Sequence, residues 1–190
     1  MSIHAISSGR VIPSGDKIWA CSRFGTEATR ILRRRETCVE TVIGRFFSVE
    51  RNWLLNTVTR TDFLANDAYL AALALREGRT IHYVDDAVVR YIAVDNFRDF
   101  SLQRNRADTG YEELRLSGVL TRGLETAVFY YVSAILAAAI KDPVGAVSWL
   151  LCQLRHKFFP IPALHSGIKG TWEPLLSTKR SIKGKISNVN

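Results

Sequence analysis

The chain has 190 residues, of which 47% are hydrophobic and 23% charged, and its formal net charge is +8. This length and mixture allow one domain with a hydrophobic core and exclude a chain that is disordered throughout. Residues 155–190 hold seven Lys or Arg and one acidic residue, so this stretch supplies +6 of the +8. Such a charge excess is typical of segments that meet the phosphates of nucleic acid or of an anionic lipid surface.

The first third of the chain predicts short strands and one helix. An apolar stretch over 3–12 is interrupted by Gly9 and ends before Pro13, which is typical of a strand. The run over 27–35 is compatible with a helix that has a basic face, and the apolar stretch over 42–49 predicts a second strand.

The middle third carries the clearest pattern. Leu and Ala recur at helical spacing over 67–77, and Gly78 follows as a helix terminator. A strand over 80–84, a polar break at 85–86 and a β-branched run over 87–94 come next. Asp95 or Asn96 then suits the N-cap of a helix over 97–106.

Two uncharged stretches follow, 126–140 and 144–154, and each is shorter than the ~20 residues that a straight membrane-spanning helix needs. Lys141-Asp142 can form a turn and Pro143 suits a helix start, so the pair predicts a helical hairpin. This hairpin either packs into a core or enters one leaflet of a membrane. The basic cluster at 155–157 and the aromatic residues of the hairpin favour the membrane.

The cysteine pattern and the lack of a signal peptide indicate a reducing compartment. Cys21, Cys38 and Cys152 have irregular spacing and form neither a disulfide framework nor a zinc motif, so buried or neutral thiols are expected. The N-terminus lacks the apolar stretch of a signal peptide, which places the N-terminal part in the cytoplasm.

Two polar clusters of the middle third are candidates for chemistry. Asn66-Asp67 precedes a helix, where these residues serve either as an N-cap or as a carboxylate that takes a proton from an acceptor hydroxyl. Gln103 and Arg106 share a helix face, which is either solvated or directed at a pyrophosphate or sugar.

A third candidate lies in the apolar stretch before them. Gly44-Arg45-Phe46-Phe47 reads either as an ordinary strand that leads into a turn or as the wall of an acceptor pocket. Phe46 and Phe47 are the residues that would line that pocket.

The order and spacing of these features over 44–110, about a third of the chain, resemble the acceptor-side half of family 2 glycosyltransferases with a GT-A fold. The matching positions are Asn66-Asp67, Leu70, Gly78, 81–84, Asp86-Ala87, Val88-Val89, Phe100, Gln103 and Arg106. By this resemblance Asp67 is the general base for the acceptor hydroxyl. Gln103 and Arg106 form the motif at the edge of the active site, and Asn66, Phe46 and Phe47 contact substrate.

Two departures from the family pattern affect the expected reaction. Asn66 replaces the first acidic residue of the family's pair, while Asp67 retains the second. Ala107 replaces the Trp of the Gln-x-x-Arg-Trp motif, which favours transfer of a single sugar over processive synthesis.

The donor side of the family is not found in the sequence. No Gly-rich phosphate loop appears, and the two pairs that resemble a DxD motif, Asp85-Asp86 and Asp95-Asn96, follow the expected base. The Mg²⁺ or Mn²⁺ of the complete family enzyme would therefore be held by an N-terminal donor-binding half or subunit. The isolated chain is expected to bind its nucleotide-sugar donor poorly.

Together these features predict an α/β fold: a partial GT-A-like sheet with flanking helices, followed by a hydrophobic helical hairpin. Residues 1–120 would form the partial glycosyltransferase domain, 121–158 the hairpin and 159–190 a basic, flexible tail. The implied function is hexosyl transfer to a hydroxyl acceptor at the cytoplasmic face of the cell membrane. The alternative is a non-catalytic membrane-surface or interaction protein derived from a glycosyltransferase. Nucleic-acid binding is not expected, because no helix-turn-helix or zinc pattern appears.

Overall fold

A computed structural model gives the architecture of the chain. It describes residues 4–14, 19–36, 39, 42, 47–57, 63, 65–121, 128–159 and 161. These residues form a mixed α/β fold with a three-stranded sheet and six helices. The elements are β1 (His4–Ser14), α1 (Ala20–Arg33), β2 (Phe47–Val49), α2 (Arg51–Thr57), α3 (Asn66–Arg76), β3 (Thr80–Ile92), α4 (Phe97–Leu116), α5 (Val128–Lys141) and α6 (Pro143–Phe158).

The sheet is mixed, with β1 at its centre. β2 pairs with β1 in the antiparallel sense, and β3 pairs with β1 in the parallel sense. The parallel pair requires a long crossover, and this crossover contains α1, β2, α2 and α3. The predicted strand over 3–12 is confirmed as β1, whereas of the predicted strand over 42–49 the described residues place only Phe47–Val49 in a strand.

β3 contains a bulge where the sequence predicts a break between two strands. Gly9 pairs with Val84 and Arg10 pairs with Val88, so residues 85–87 have no partner position on β1. The strand continues through this irregularity because the β-branched residues on both sides keep the ladder. The polar pair Asp85-Asp86 therefore bends one strand instead of ending it.

The main core forms around α3. Ala68, Ala71, Ala72 and Ala74 are buried against apolar residues of β1, β3 and α4, and small side chains allow this close approach. The helix spans Asn66–Arg76, as the predicted 67–77 indicates, and Gly78 ends it at φ 69°. Positive φ is the conformation that glycine adopts without steric cost.

α4 is twice as long as the predicted 97–106 because its apolar side continues to Leu114, which is fully buried in the main core. Asn96 is its N-cap, as predicted, and its side chain accepts a hydrogen bond from the Asp99 backbone N–H at 2.9 Å. A Cβ built at Gly110 would lie 2.7 Å from the Ala65 Cβ. Glycine at this position thus allows α4 to touch the start of α3.

α1 begins seven residues before the predicted 27–35 and ends at Arg33. Gly25 lies inside it, where a Cβ would be 3.4 Å from the Trp149 ring, so the indole of α6 packs on the helix at its glycine. This tertiary contact stabilises a helix whose interior glycine weakens the sequence signal.

α5 and α6 confirm the two helices predicted around Pro143, with Asp142 between them as the N-cap of α6. The expected hydrophobic hairpin is not supported, because the described helices include none that could span a membrane. Both helices instead pack on α1, where Phe24, Ala28 and Ala138 form a second buried cluster. The predicted flexible tail lies outside the described residues, apart from 159 and 161.

Candidate functional site

Asn66 and Asp67 lie in the first turn of α3. The N-cap is Ala65 rather than either of them, and it makes no side-chain cap hydrogen bond. Asn66 is exposed and Asp67 is half-buried, and the Ala68 N–H lies 3.0 Å from Asp67 Oδ1. A carboxylate in the first turn of a helix is stabilised by the positive end of the helix dipole.

Gln103 and Arg106 lie on α4 and are both half-buried. Gln103 lines a pocket, whereas Arg106 is outside the lining residues that the structure describes. Asp67 does not line this pocket within the described part of the chain either. The contact between Gly110 and Ala65 sets α4 against the residue that immediately precedes Asn66-Asp67.

Of the two phenylalanines predicted to line the acceptor pocket, the structure describes only Phe47. Phe47 lies in β2, partly buried, and packs against the main core. Phe46 lies outside the described residues.

The pocket lies between α1, α4, α5 and α6, with Val11 of β1 and Tyr91 of β3 at its edge. Its volume is about 240 Å³. At ~30 Å³ per water molecule, this is room for roughly eight waters or a small ligand. Apolar and aromatic side chains such as Phe100, Ile135 and Trp149 make up much of its wall, and Gln103 and Gln153 add amides.

Ion pairs surround the C-terminal end of α1. Arg30 donates two hydrogen bonds of 2.7 Å to Glu27, and it lies 3.5 Å from Asp85 in the β3 bulge. Arg34 also pairs with Asp85. Desolvation alone would raise the pKa of Asp85, but the hydrogen bond and charge of Arg34 hold it below its ordinary value. The bulge therefore places the Asp85 carboxylate where it pairs with Arg30 and Arg34 at the C-terminal end of α1.

Arg33 is the most deeply buried of the basic residues that the structure describes. Its side chain is 2% exposed and lines the pocket, and its Nη1 lies 3.4 Å from the Gly9 carbonyl oxygen, which lies beside the bulge.

The pocket arginines were not among the residues predicted from the sequence. The run over 27–35 predicted a helix with a basic face, and Arg30 and Arg33, three residues apart, share a side of that helix. The sequence did not show that these arginines line a pocket. Arg104 lies next to Gln103 on α4, and the sequence predicted no role for it. Trp149 and Gln153 reach the pocket from α6, more than 100 residues after α1.

Two of the three cysteines lie in the described part of the chain. Cys21 and Cys152 are buried, as expected, and burial raises the pKa of both, with a further increase for Cys21 from the neighbouring Cys152. Cys38 lies outside the described residues. In the segments for which coordinates are described, no three His, Cys, Asp or Glu side chains gather as a metal site, and the resemblance assigns the Mg²⁺ or Mn²⁺ ligands to the donor-binding half.

Comparison with models of protein families, with curated proteins and with solved structures gave no match.

Proposed function

We propose that this chain provides the acceptor-binding part of a family 2 glycosyltransferase, with Asp67 as the general base. The observation that supports this proposal is the contact between Gly110 and Ala65. It sets the helix that carries Gln103 and Arg106 beside the helix start that carries Asp67, in the order that the sequence resemblance implies.

In this proposal Asp67 removes the proton of an acceptor hydroxyl as its oxygen attacks the anomeric carbon of the donor sugar. The nucleoside diphosphate leaves from the opposite side, so the configuration inverts. Gln103 and Arg106 position the acceptor or the diphosphate by hydrogen bonds. The nucleotide sugar and its divalent cation are bound by a donor half or subunit outside the described residues.

A transfer assay tests the proposal in cells in which the native copy is replaced by Asp67→Asn. Transfer of labelled hexose from nucleotide sugars to membrane acceptors should fall by ~10²- to 10⁴-fold, because general-base catalysis contributes a factor of that size. Asp95→Asn makes the same chemical change at an exposed position and should leave transfer unchanged. Unchanged transfer by Asp67→Asn would remove the base assignment, and unchanged transfer after deletion of the whole chain would remove the enzyme proposal.

One observation favours a second role at a membrane surface. The apolar face, defined as the exposed large apolar side chains of α5 and α6, includes Leu136, Ile140, Val144, Val147, Leu151 and Phe158. Lys141, Arg155 and Lys157 are exposed on the same two helices. An apolar surface with basic residues beside it suits the interface of an anionic membrane, and we assign it to the cytoplasmic face of the cell membrane.

The two roles give different results. A chain that only docks on a membrane would keep vesicle binding, would bind no UDP-sugar in a direct assay and would be indifferent to Asp67→Asn.

A further inference from the structure

β3 is a long strand at the edge of the sheet. It has 13 residues and pairs with β1 on one side, and none of the strands that the structure describes pairs with its other side. An edge strand presents backbone N–H and C=O groups that can pair with another strand. The Tyr83 N–H donates to Glu36 Oε1 at 2.6 Å, so a partner strand is expected along the part of β3 that follows Tyr83.

Beyond Tyr83, exposed and half-buried side chains alternate along the strand. Asp86, Val88 and Arg90 are exposed, Val88 to 46%, and the residues between them are half-buried. This period of two places the three exposed side chains on one face of the sheet. Asp85 is held by two arginines of α1, whereas Asp86 and Arg90 have no ion-pair partner in the part of the chain that the structure describes.

The spacing of these three residues is complementary to itself. If two copies of β3 pair in the antiparallel sense around Val88, the Val88 side chains of the two copies face each other. Asp86 of each copy then faces Arg90 of the other, on the same exposed face. Opposite charges and β-branched side chains that lie directly opposite each other stabilise an antiparallel strand pair.

The same charges oppose other registers. A shift that sets Asp86 against Asp86, or Arg90 against Arg90, brings like charges together and destabilises the pair. A parallel pair in register does so at both positions. The antiparallel register around Val88 also has the two-fold symmetry of most homodimers, so that the assembly closes at two copies.

We propose that two copies of this chain dimerise through β3, antiparallel and centred on Val88, which joins their two three-stranded sheets into one. A contact along one strand edge buries less than the ~1,200 Å² of a stable interface, so the dimer forms at concentrations of about 10 μM or more and dilute protein is monomeric. The dimer does not involve Asp67 and does not depend on the glycosyltransferase proposal.

Sedimentation equilibrium of the full chain, over about a hundredfold range of concentration, tests the dimer. Asp86→Arg should weaken it about tenfold or more, because it sets two positive charges opposite each other at both ends of the pair. Asp86→Arg combined with Arg90→Asp restores opposite charges and should recover wild-type affinity. Asp95→Arg makes the same charge change at an exposed residue outside β3 and should have no effect. A wild-type chain that stays monomeric, or a swapped pair that fails to recover affinity, overturns the proposal.

Crosslinking tests the register. Only in the symmetric pair does residue 88 lie opposite its own copy, at the ~4.5–5.5 Å between Cα atoms that a disulfide spans. With oxidised glutathione as the oxidant, Val88→Cys should form a crosslinked dimer several times faster than Leu55→Cys, which changes a more exposed residue on α2. The wild type measures the background from the native cysteines. Equal crosslinking by the two variants overturns the proposal, as does a dimer that Leu136→Glu with Leu151→Glu abolishes and Asp86→Arg leaves intact.

Discussion

At the scale of single residues, two glycines show how one side-chain position decides a helix contact. Gly110 of α4 meets the Ala65 Cβ, whereas Gly25 of α1 meets the edge of the Trp149 ring. A Cβ would lie 2.7 Å from its neighbour in the first case and 3.4 Å in the second, so only the first requires the helices to move. This difference can be measured.

We expect Gly110→Ala to lower the free energy of unfolding by ~1–2 kcal/mol, because overpacking costs ~1–3 kcal/mol and the better helix propensity of alanine returns ~0.5–1 kcal/mol. Gly25→Ala is the matched control and should be neutral or slightly stabilising. Urea denaturation of the two variants provides the comparison, and equal stabilisation by both would contradict the close contact between α4 and α3.

At the scale of elements, Asp142 connects α5 and α6 to α1. Its Oδ1 accepts the Gly145 N–H at 2.9 Å as the N-cap of α6, and Arg23 of α1 donates to both of its oxygens at 2.8 and 3.0 Å. The hydrogen bonds from Arg23 are the main cause that holds the pKa of Asp142 below its ordinary value. One carboxylate therefore caps a helix and attaches it to a neighbour.

The sign of the pH dependence follows from that lowered pKa. A carboxylate whose pKa is depressed in the folded state stabilises the fold above its unfolded pKa of about 4, and this contribution is lost as the pH falls through the folded value. We expect Asp142→Ala to destabilise the chain at pH 7 by ~1 kcal/mol through the lost cap.

The variant should also lose less stability than the wild type on acidification from pH 5 to pH 2.5, as measured by thermal unfolding across this range. Asp86→Ala, at an exposed position on β3, is the control and should follow the wild-type profile. A wild-type profile for Asp142→Ala would mean that Arg23 does not hold this carboxylate in solution.

At the scale of the whole molecule, the apolar face and the basic residues lie on the same part of the fold. One face of α5 and α6 packs on α1, and the opposite face is exposed. On that exposed face, Ile140 is 86% and Val144 71% accessible, just before and just after Asp142 in the sequence. A monomeric soluble protein seldom exposes a large apolar patch, and such patches often mark binding surfaces. The proposed membrane docking would therefore depend on the assembled α1–α5–α6 layer and not on either helix alone.

We expect the full chain to float with vesicles that contain anionic lipid and to bind neutral vesicles less well. The double change Leu136→Glu and Leu151→Glu should reduce this binding about tenfold or more, because it removes apolar contact and adds charge of the wrong sign. Leu55→Glu with Leu116→Glu is the matched control, since these leucines are at least as exposed as Leu136 and Leu151 but lie on α2 and α4. Equal loss of binding by the two double variants would show that the apolar face has no special role.

Local patterns in the sequence determined the elements that depend on near neighbours. The Ala- and Leu-rich spacing and Gly78 specified α3, Asn96 specified the start of α4, and Pro143 specified the start of α6. These signals are local because helix caps and terminators act within one turn.

Only the tertiary structure decided the contacts between distant segments. It joined the polar break at 85–86 into one strand, extended α1 across Gly25 with the help of Trp149, and packed α5 and α6 on α1. It also gathered Arg33 and Arg104 at one pocket and left Asp67 outside the described lining. The physical reason is that burial and charge pairing depend on partners 50 to 120 residues away, whereas helix propensity and capping do not.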